Sequence, residues 1–351
     1  LGLLMNKKSK KLNKTYYFFY PGNINTKTGG YIYEKNILQR AKTLNFNLKA
    51  IRLSENYPFQ QKNDISTLKN ILNKLSDNSV LVFDGLVFET IDKIIDNLKR
   101  FKIIALIHHP LYLEFKSKRS KYFVKQAMQL YPKANKIIVT SNETKNLIAQ
   151  KFKINKQKIQ IVEPGIEKLK KFKVKKDKNI NLLSVGSIIE RKNYQYLIKE
   201  LRFIDNVKLK IVGDTTRESK YYNKLQNIIS NYGLEEKISF YSNISTKHLS
   251  QLYSQCDFYI SVSRYEGFGM SLANALQQKK MIITFKTLTL MNTLKKDGII
   301  YLNDFKEKSL SKLILRNFNN VKIQNKIRKN QRKFLTPTQS ADLFIKEIKN
   351  A

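Results

Sequence analysis

The chain has 351 residues, 42% of them apolar, including 20 Phe and 19 Tyr, which excludes a mainly disordered polymer and is enough for two domains. Its single cysteine, Cys256, excludes an intramolecular disulfide framework, and no apolar run reaches the roughly 18–20 residues that cross a bilayer. Net charge is +39, from 66 basic and 27 acidic residues, and 55 of the basic ones are Lys against 11 Arg. Sequence-reading nucleic-acid binders lean on Arg for bidentate base contacts, so this balance argues against sequence readout and leaves nucleic acid as the least favoured partner. Two other readings of the charge rank above it. One is compositional bias, since Lys, Asn and Ile are abundant throughout. The other is attraction to an anionic membrane surface, where each Lys contributes on the order of 1 kcal/mol. The opening Leu1-Gly2-Leu3-Leu4-Met5 is too short for a signal-peptide core and has its lysines on the wrong side. It reads as an upstream extension ahead of Met5, and the protein as cytoplasmic, at the inner face of the cell membrane if the charge serves attraction.

In chain order, Tyr16–Tyr20, Leu48–Leu53, Val80–Phe83, Ile103–Ile107, Ile137–Thr140 and Ile159–Val162 are predicted as buried strands, because their apolar residues run together rather than alternate. Helices are expected between them, such as Tyr31–Leu44 and Asp64–Leu75. In the second of these Asp64 is the expected N-cap, and Ile65, Leu68, Ile71, Leu72 and Leu75 share one face. That pattern predicts a doubly wound α/β domain. A polar, Lys-dense stretch, Glu167–Asn179, interrupts it after Pro164-Gly165. Strands then resume at Ile180–Val185, Leu209–Val212, Ile238–Tyr241, Phe258–Val262 and Met281–Phe285. The economical reading is two Rossmann-like domains, residues 1–170 and 171–351, facing an interdomain cleft at the carboxyl ends of their strands. The tail, Lys306–Lys349, reads as basic amphipathic helix that packs back on the first domain.

Four strand-to-helix turns carry the chemistry. Tyr20-Pro21-Gly22 through Thr28-Gly29-Gly30 offers close backbone approach and a helix N-terminus for an anion, although an ordinary βα turn reads as well and the G-x-G-x-x-G spacing is absent. His108 and His109, two of the chain's three histidines, end a strand ahead of Pro110. Neither Cys nor another His stands at ligand spacing, so hydrogen bonding to a polar ligand is preferred there over a metal, with a structural capping role as the alternative. Gly186 precedes Arg191 and Lys192, cations at a helix start, where the dipole disfavours them unless a phosphate lies between. Solvated surface charge is the bland alternative. Finally, Ser263-Arg264-Tyr265-Glu266-Gly267-Phe268-Gly269-Met270 runs from a strand into a helix spanning Met270–Gln278, with the Glu266 carboxylate at the mouth of the turn. Glu266 alone could be a helix cap; four such turns in one chain favour a shared cleft.

These residues, with Val139-Thr140-Ser141, Val162-Glu163-Pro164-Gly165, Ser184-Val185-Gly186, Arg191-Lys192-Asn193 and Ile211-Val212-Gly213, resemble the family 4 retaining glycosyltransferases of the GT-B fold. The resemblance runs from about Tyr16 to Phe285 and is strongest from Asn181 onward. It implies an acceptor-binding first domain and a second domain holding a UDP- or GDP-linked sugar as co-substrate, with no metal and no other cofactor. Gly29, Gly30, Gly186, Arg191 and Lys192 would hold the diphosphate, and the two cations would stabilise the leaving group. Glu266 would accept from sugar hydroxyls, helped by Gly267 and the N–H groups of Phe268, Gly269 and Met270, while His108 or His109 contacts the sugar ring. No Asp-x-Asp motif is present, and retention by attack on the leaving-group face needs no protein nucleophile.

Two positions depart from the family pattern. Asn274 stands where a second glutamate, eight residues after the first, usually meets the ribose, and its carbonyl is a shorter, uncharged acceptor. Lys286-Thr287-Leu288-Thr289-Leu290-Met291-Asn292-Thr293 replaces a loop that usually holds Gly and Pro-Glu. The expectation is a hexosyltransferase of polysaccharide or lipopolysaccharide biosynthesis acting on a cell-surface glycan or lipid-linked acceptor. The alternatives are a non-catalytic nucleotide-sugar-binding homologue or partner subunit, and a GT-B sugar-nucleotide epimerase or hydrolase.

Overall fold

A computed structural model describes residues 14–175, 178–287, 299–329 and 333–351. The start around Met5 and most of the 286–293 loop lie outside the described residues. The first sheet holds β1 (Tyr16–Pro21), β2 (Leu48–Leu53), β3 (Val80–Asp84), β4 (Lys102–Ile107), β5 (Lys136–Val139) and β6 (Ile159–Ile161), in the order β2-β1-β3-β4-β5-β6. The second holds β7 (Ile180–Val185), β8 (Val207–Val212), β9 (Ile238–Tyr241), β10 (Phe258–Ser261), β11 (Met281–Phe285) and β12 (Ile299–Leu302), in the order β12-β11-β10-β7-β8-β9. Every pairing is parallel.

Parallel strands need covering on both faces, and successive residues alternate between two cores. In the first sheet Phe19, Phe83, Ala105 and Val139 enter one core, while Phe18, Val82, Ile104 and Ile138 enter the other. The second sheet divides likewise, with Leu182, Ile260 and Ile283 on one side and Leu183, Tyr259 and Ile282 on the other.

Helices alternate with the strands: α1 (Gly29–Thr43), α2 (Lys62–Asn73), α3 (Gly85–Phe88), α4 (Ser117–Leu130) and α5 (Asn142–Lys151) in the first half. The second half adds α6 (Tyr194–Glu200), α7 (Ser219–Asn231), α8 (Thr246–Gln255), α9 (Met270–Gln277), α10 (Ser309–Asn317), α11 (Val321–Lys329) and α12 (Pro337–Lys349). α12 opens on a Thr336/Gln339 capping box with Pro337 in its first turn. It returns to the first sheet, where Ala341, Phe344 and Ile348 join the core that contains Tyr33 and Ile37 of α1, and Arg40 pairs with Asp342 at 2.6 Å.

Three local expectations change. Asp64 is not the cap of α2. Gln61 is, and the Asp64 carboxylate reaches back from the first turn to accept from its N–H at 2.8 Å. Leu48–Leu53 is not buried, because β2 is an edge strand whose Lys49, Ala50 and Arg52 face water. β6 is the other edge, and its Ile161 is exposed. β12 was not predicted at all, and it completes the second sheet beyond β11. No helix of the described residues is long and apolar enough to cross a membrane.

The strand orders fix where a ligand crevice opens. In an open parallel sheet it lies outside the carboxyl ends, where the winding reverses. That point falls between β7 and β10 in the second sheet and between β1 and β3 in the first.

Candidate active site

The turn after β10 stands at the reversal point of the second sheet. Gly269 caps α9 with φ +85, a left-handed conformation open to glycine without a Cβ penalty. α9 has neither a side-chain cap nor an acidic residue in its first turn. Its leading N–H groups are therefore set for an anionic or hydroxylated ligand. Phe268 anchors the turn by burying its ring with Ile166 and Ala273.

Facing this turn, the segment after β7 makes a tight helical turn at Glu190–Lys192 before α6. Lys192 Nζ lies 2.6 Å from Glu266 Oε1, and Arg191 Nη1 lies 3.9 Å from Glu266 Oε2 while donating to the Tyr265 carbonyl. Burial by itself would raise the Glu266 carboxyl, but the Lys192 ammonium and Arg191 guanidinium outweigh it and hold the group down at about 2. Burial lowers the Lys192 ammonium despite its carboxylate partner, with Arg191 adding to the effect. Gly186 lies beneath this pair. A Cβ there would approach the Lys192 Cε to 3.0 Å, and the Tyr194 hydroxyl donates to its carbonyl at 3.0 Å.

The first domain supplies the opposite wall. His108 and His109 leave the end of β4, and both rings are engaged through Nε2. His108 lies 2.9 Å from Glu34 Oε1 and 3.5 Å from Asp84 Oδ2. Desolvation would lower its pKa, yet hydrogen bonds and charge from Asp84 and Glu34 carry it up to about 10, so the ring is an imidazolium. Between the two carboxyls, burial and Asp84 push Glu34 up, while His108 and the Glu34 carboxyl bring Asp84 down against its own desolvation. His109 bonds Glu114 Oε1 at 2.7 Å. Glu114 is also 3.9 Å from Arg191 Nε, so burial, which would raise this carboxyl, is overcome by His109 and Arg191.

The four predicted turns do converge. A Cβ on Gly29 would meet Met270 Sδ at 3.3 Å, and one on Gly30 would meet the His108 ring at 3.4 Å. A Cβ on Gly267 would lie 2.5 Å from the His108 carbonyl, so only glycine permits this approach of the two domains. Lys116 pairs with Glu190 at 2.8 Å across the same seam. Asn274 lies one turn into α9, and its buried Oδ1 has no hydrogen-bond partner. An unsatisfied buried carbonyl is costly.

The sequence reading missed Glu34, Asp84 and Glu114. Its search for metal ligands stopped at Cys and His, and the structure corrects that: Glu34, Asp84 and His108 bring ligand atoms within 4.8 Å of one another, the one candidate metal-ligand group among the described residues. As they stand, the imidazolium lies between the two carboxyls, while Glu34 Oε2 is buried without a hydrogen-bond partner. Asp84 was legible, since it ends β3 directly before Gly85; Glu34, inside α1, carried no local signal.

Residues 165–334 match the family model described as Glycosyl transferases group 1, and residues 15–161 match the Glucosyltransferase 3-like, N-terminal domain. The chain is 27% identical over 174 residues to the O-antigen chain mannosyltransferase RfbU of Salmonella typhimurium, covering 49% of this chain and 48% of that protein. It is 31% identical over 156 residues to the N-acetylgalactosamine-N,N'-diacetylbacillosaminyl-diphospho-undecaprenol 4-alpha-N-acetylgalactosaminyltransferase of Campylobacter jejuni, covering 42% of this chain and 40% of that protein. The chain thus spans about half or less of the length of these curated relatives. Anabaena HepE, solved in complex with UDP and glucose, superposes with a TM-score of 0.71 at 14% identity, covering 96% of this chain and 100% of that one. That likeness gives the fold alone: GT-B, the two-sheet α/β architecture expected from the sequence. The second half of the chain accordingly carries a glycosyl transferases group 1 domain.

Proposed function

We propose that the chain transfers a sugar, with retention, from a nucleotide-diphosphate donor to a glycan or lipid-linked acceptor. One observation carries this reading: Arg191, Lys192 and Glu266 meet the uncapped start of α9 at the reversal point of the second sheet. A donor placed there exchanges the Lys192–Glu266 pairing for phosphate oxygens on Lys192 and Arg191, and for sugar hydroxyls donating to Glu266. As the C1–O bond breaks, its electron pair passes to the terminal phosphate oxygen. The two cations and the α9 N–H groups stabilise the charge that develops there. The acceptor hydroxyl attacks from the same face, and its proton leaves with the phosphate. The unpartnered Asn274 Oδ1 supplies an acceptor for a donor hydroxyl. In this reading residues 1–170 hold the acceptor and 171–351 the donor, no metal takes part, and the base is uracil or guanine. The assignment of a lipid-linked or glycan acceptor draws on the Campylobacter and Salmonella relatives, and that of a UDP-type donor on the HepE complex.

The test is Glu266→Ala with a panel of labelled UDP- and GDP-sugars, with and without acceptor lipid. Transfer should vanish while the circular dichroism spectrum stays unchanged; full transfer in the variant sinks the assignment. Release of free sugar or an epimer without acceptor would point to the hydrolase or epimerase reading. Donor binding without turnover by the wild type would mark a non-catalytic homologue.

A further inference from the structure

The turn after β8 lies against the turn after β7. A Cβ on Gly213 would overlap the Gly186 carbonyl, so only glycine lets the two turns meet. The Ile188 N–H donates to the Asp214 carbonyl at 3.2 Å, and the Glu190 N–H to Glu218 Oε2 at 3.0 Å. Within the turn, Asp214 Oδ1 accepts from the Thr216 N–H at 2.8 Å and from Thr216 Oγ1 at 2.7 Å, which fixes the backbone directly ahead of Arg217. The Arg217 side chain crosses to the neighbouring turn, where Nη1 donates to Ser187 Oγ at 3.3 Å. Ser187 follows Gly186, the glycine beneath Lys192. A third cation is thereby held beside the Arg191–Lys192 pair.

This cation differs from the other two. Lys192 is bonded to Glu266, and Arg191 lies near both Glu266 and Glu114. Arg217 is exposed, and among the described residues no carboxylate pairs with its guanidinium. Its charge nevertheless reaches both walls. Burial is the largest influence on the Tyr31 hydroxyl, the Glu114 carboxyl and the Lys192 ammonium, and the Arg217 charge acts on all three. Tyr31 directly follows Gly29-Gly30, so that charge spans the space between the start of α1 and Lys192. Composition sharpens the point. Lys outnumbers Arg by 55 to 11, yet the turns after β7, β8 and β10 each carry an Arg: Arg191, Arg217 and Arg264. A solvated surface charge would follow the Lys bias, whereas a planar fork that meets two oxygens of a phosphate requires Arg.

We infer that Arg217 is a third phosphate-binding residue of the donor site, its guanidinium leaving Ser187 to fork onto the diphosphate of the nucleotide sugar. The contacts it holds favour it as the first cation engaged. Lys192 and Arg191 must exchange carboxylate oxygens for phosphate oxygens, whereas Arg217 gives up one contact to a neutral hydroxyl. A diphosphate also brings several negative charges to a wall where Glu266 already opposes Lys192 and Arg191. The unpaired guanidinium supplies positive charge that no protein carboxylate offsets. As the nucleoside diphosphate departs, the same cation stabilises it. This deepens the transferase reading and rests on it only for the identity of the molecule that carries the diphosphate.

The test is calorimetric titration of the full chain with inorganic pyrophosphate, UDP and GDP, in wild type, Arg217→Ala and Arg217→Lys. Wild type should bind pyrophosphate and one of the two nucleoside diphosphates. Arg217→Ala should weaken both by roughly 10- to 100-fold. Arg217→Lys, which keeps the charge without the fork, should recover only part of that loss. Because the side chain is exposed, the melting temperature without ligand should not move. Lys220→Ala, an exposed lysine at the start of α7, should change neither affinity. The inference is overturned if wild type binds no pyrophosphate, if Arg217→Ala binds it as tightly, or if Lys220→Ala loses as much, which would mark a general effect of surface charge. Unchanged diphosphate binding in Arg217→Ala with a raised KM for a diphosphate-linked acceptor would assign the residue to the acceptor and overturn it equally. The transferase reading fails separately: pyrophosphate bound through Arg217, with no transfer from any UDP- or GDP-sugar, would sink that reading and leave the phosphate site standing.

Discussion

The two walls of the cleft bury the same ingredients in opposite proportion. On the second-domain wall two cations, Arg191 and Lys192, face one carboxylate, Glu266, and the carboxylate is driven down. On the first-domain wall one imidazole faces two carboxyls, Glu34 and Asp84, and the imidazole is driven up. On each wall the minority group faces two opposite charges, while the majority share one. The consequence is functional. A surplus of positive charge suits the wall proposed to receive a diphosphate, whereas a satisfied imidazolium with no surplus cation suits the wall proposed to receive sugar and acceptor hydroxyls.

Removing the minority and majority groups in turn breaks the comparison most severely. Lys192→Met should lower kcat/KM by roughly 100- to 1,000-fold, the scale of one lost transition-state donor, measured in the transfer assay. Its effect on stability should be smaller, because Arg191 remains beside Glu266. His108→Gln should do the reverse. It strands two buried carboxyls, and urea unfolding at neutral pH should show a loss of about 3 kcal/mol. That loss should be full below pH 6.5 and shrink as pH climbs toward 10.

Next in size is Gly267→Ala. Its new methyl would collide with the His108 carbonyl, 2.5 Å from the ideal Cβ position. The two walls must then separate. The expected outcome is a larger radius of gyration in small-angle scattering and a transfer rate lowered at least tenfold, with each domain's own core intact. An unchanged radius and rate would mean that the closed contact plays no part in the reaction.

The pH dependence separates the walls by sign. His108 is raised from 6.5 to about 10, so its stabilisation is full below 6.5 and is lost as pH climbs toward 10. Glu266 is depressed from 4.5 to about 2, so its stabilisation is full above 4.5 and is lost as pH falls toward 2. Thermal melts across this range should show wild-type stability falling on the alkaline side from pH 6.5, and His108→Gln should flatten that limb alone.

What could be read from the chain follows from range. Apolar runs are local, so all eleven predicted strands needed no more than small changes at their ends, and both halves could be assigned as doubly wound. Leu48–Leu53 was misjudged as buried because edge position is set by strand order, which local composition does not encode. Ile299–Leu302 escaped notice because four apolar residues are too few to stand out. In the site, glycines, histidines and the Arg-Lys pair at strand ends were legible because those turns are where such folds collect ligands. Glu34 was not, since its partner lies 74 residues away; Glu114 pairs with His109 five residues before it and also nears Arg191 across the domain seam, a contact that no local pattern encodes. Pairing partners are a tertiary property, and with them goes the protonation state of each histidine.

The smallest predicted effect bears on the donor side alone. Asn274 Oδ1 is buried in α9 without a hydrogen-bond partner. If it is held ready for a donor hydroxyl, Asn274→Leu should improve the stability of the free protein, since it removes an unsatisfied carbonyl worth about 1–3 kcal/mol. The same change should weaken nucleotide-sugar binding several-fold, because the hydroxyl then loses its acceptor. Asn274→Glu should move the other way, tightening the donor by about 1 kcal/mol through a charge-assisted bond at some expense in stability. Calorimetric titration and a melt on the same samples resolve both quantities. Opposite signs in the two would show that this position trades folding stability for a ligand contact, and parallel signs would reduce Asn274 to a packing residue.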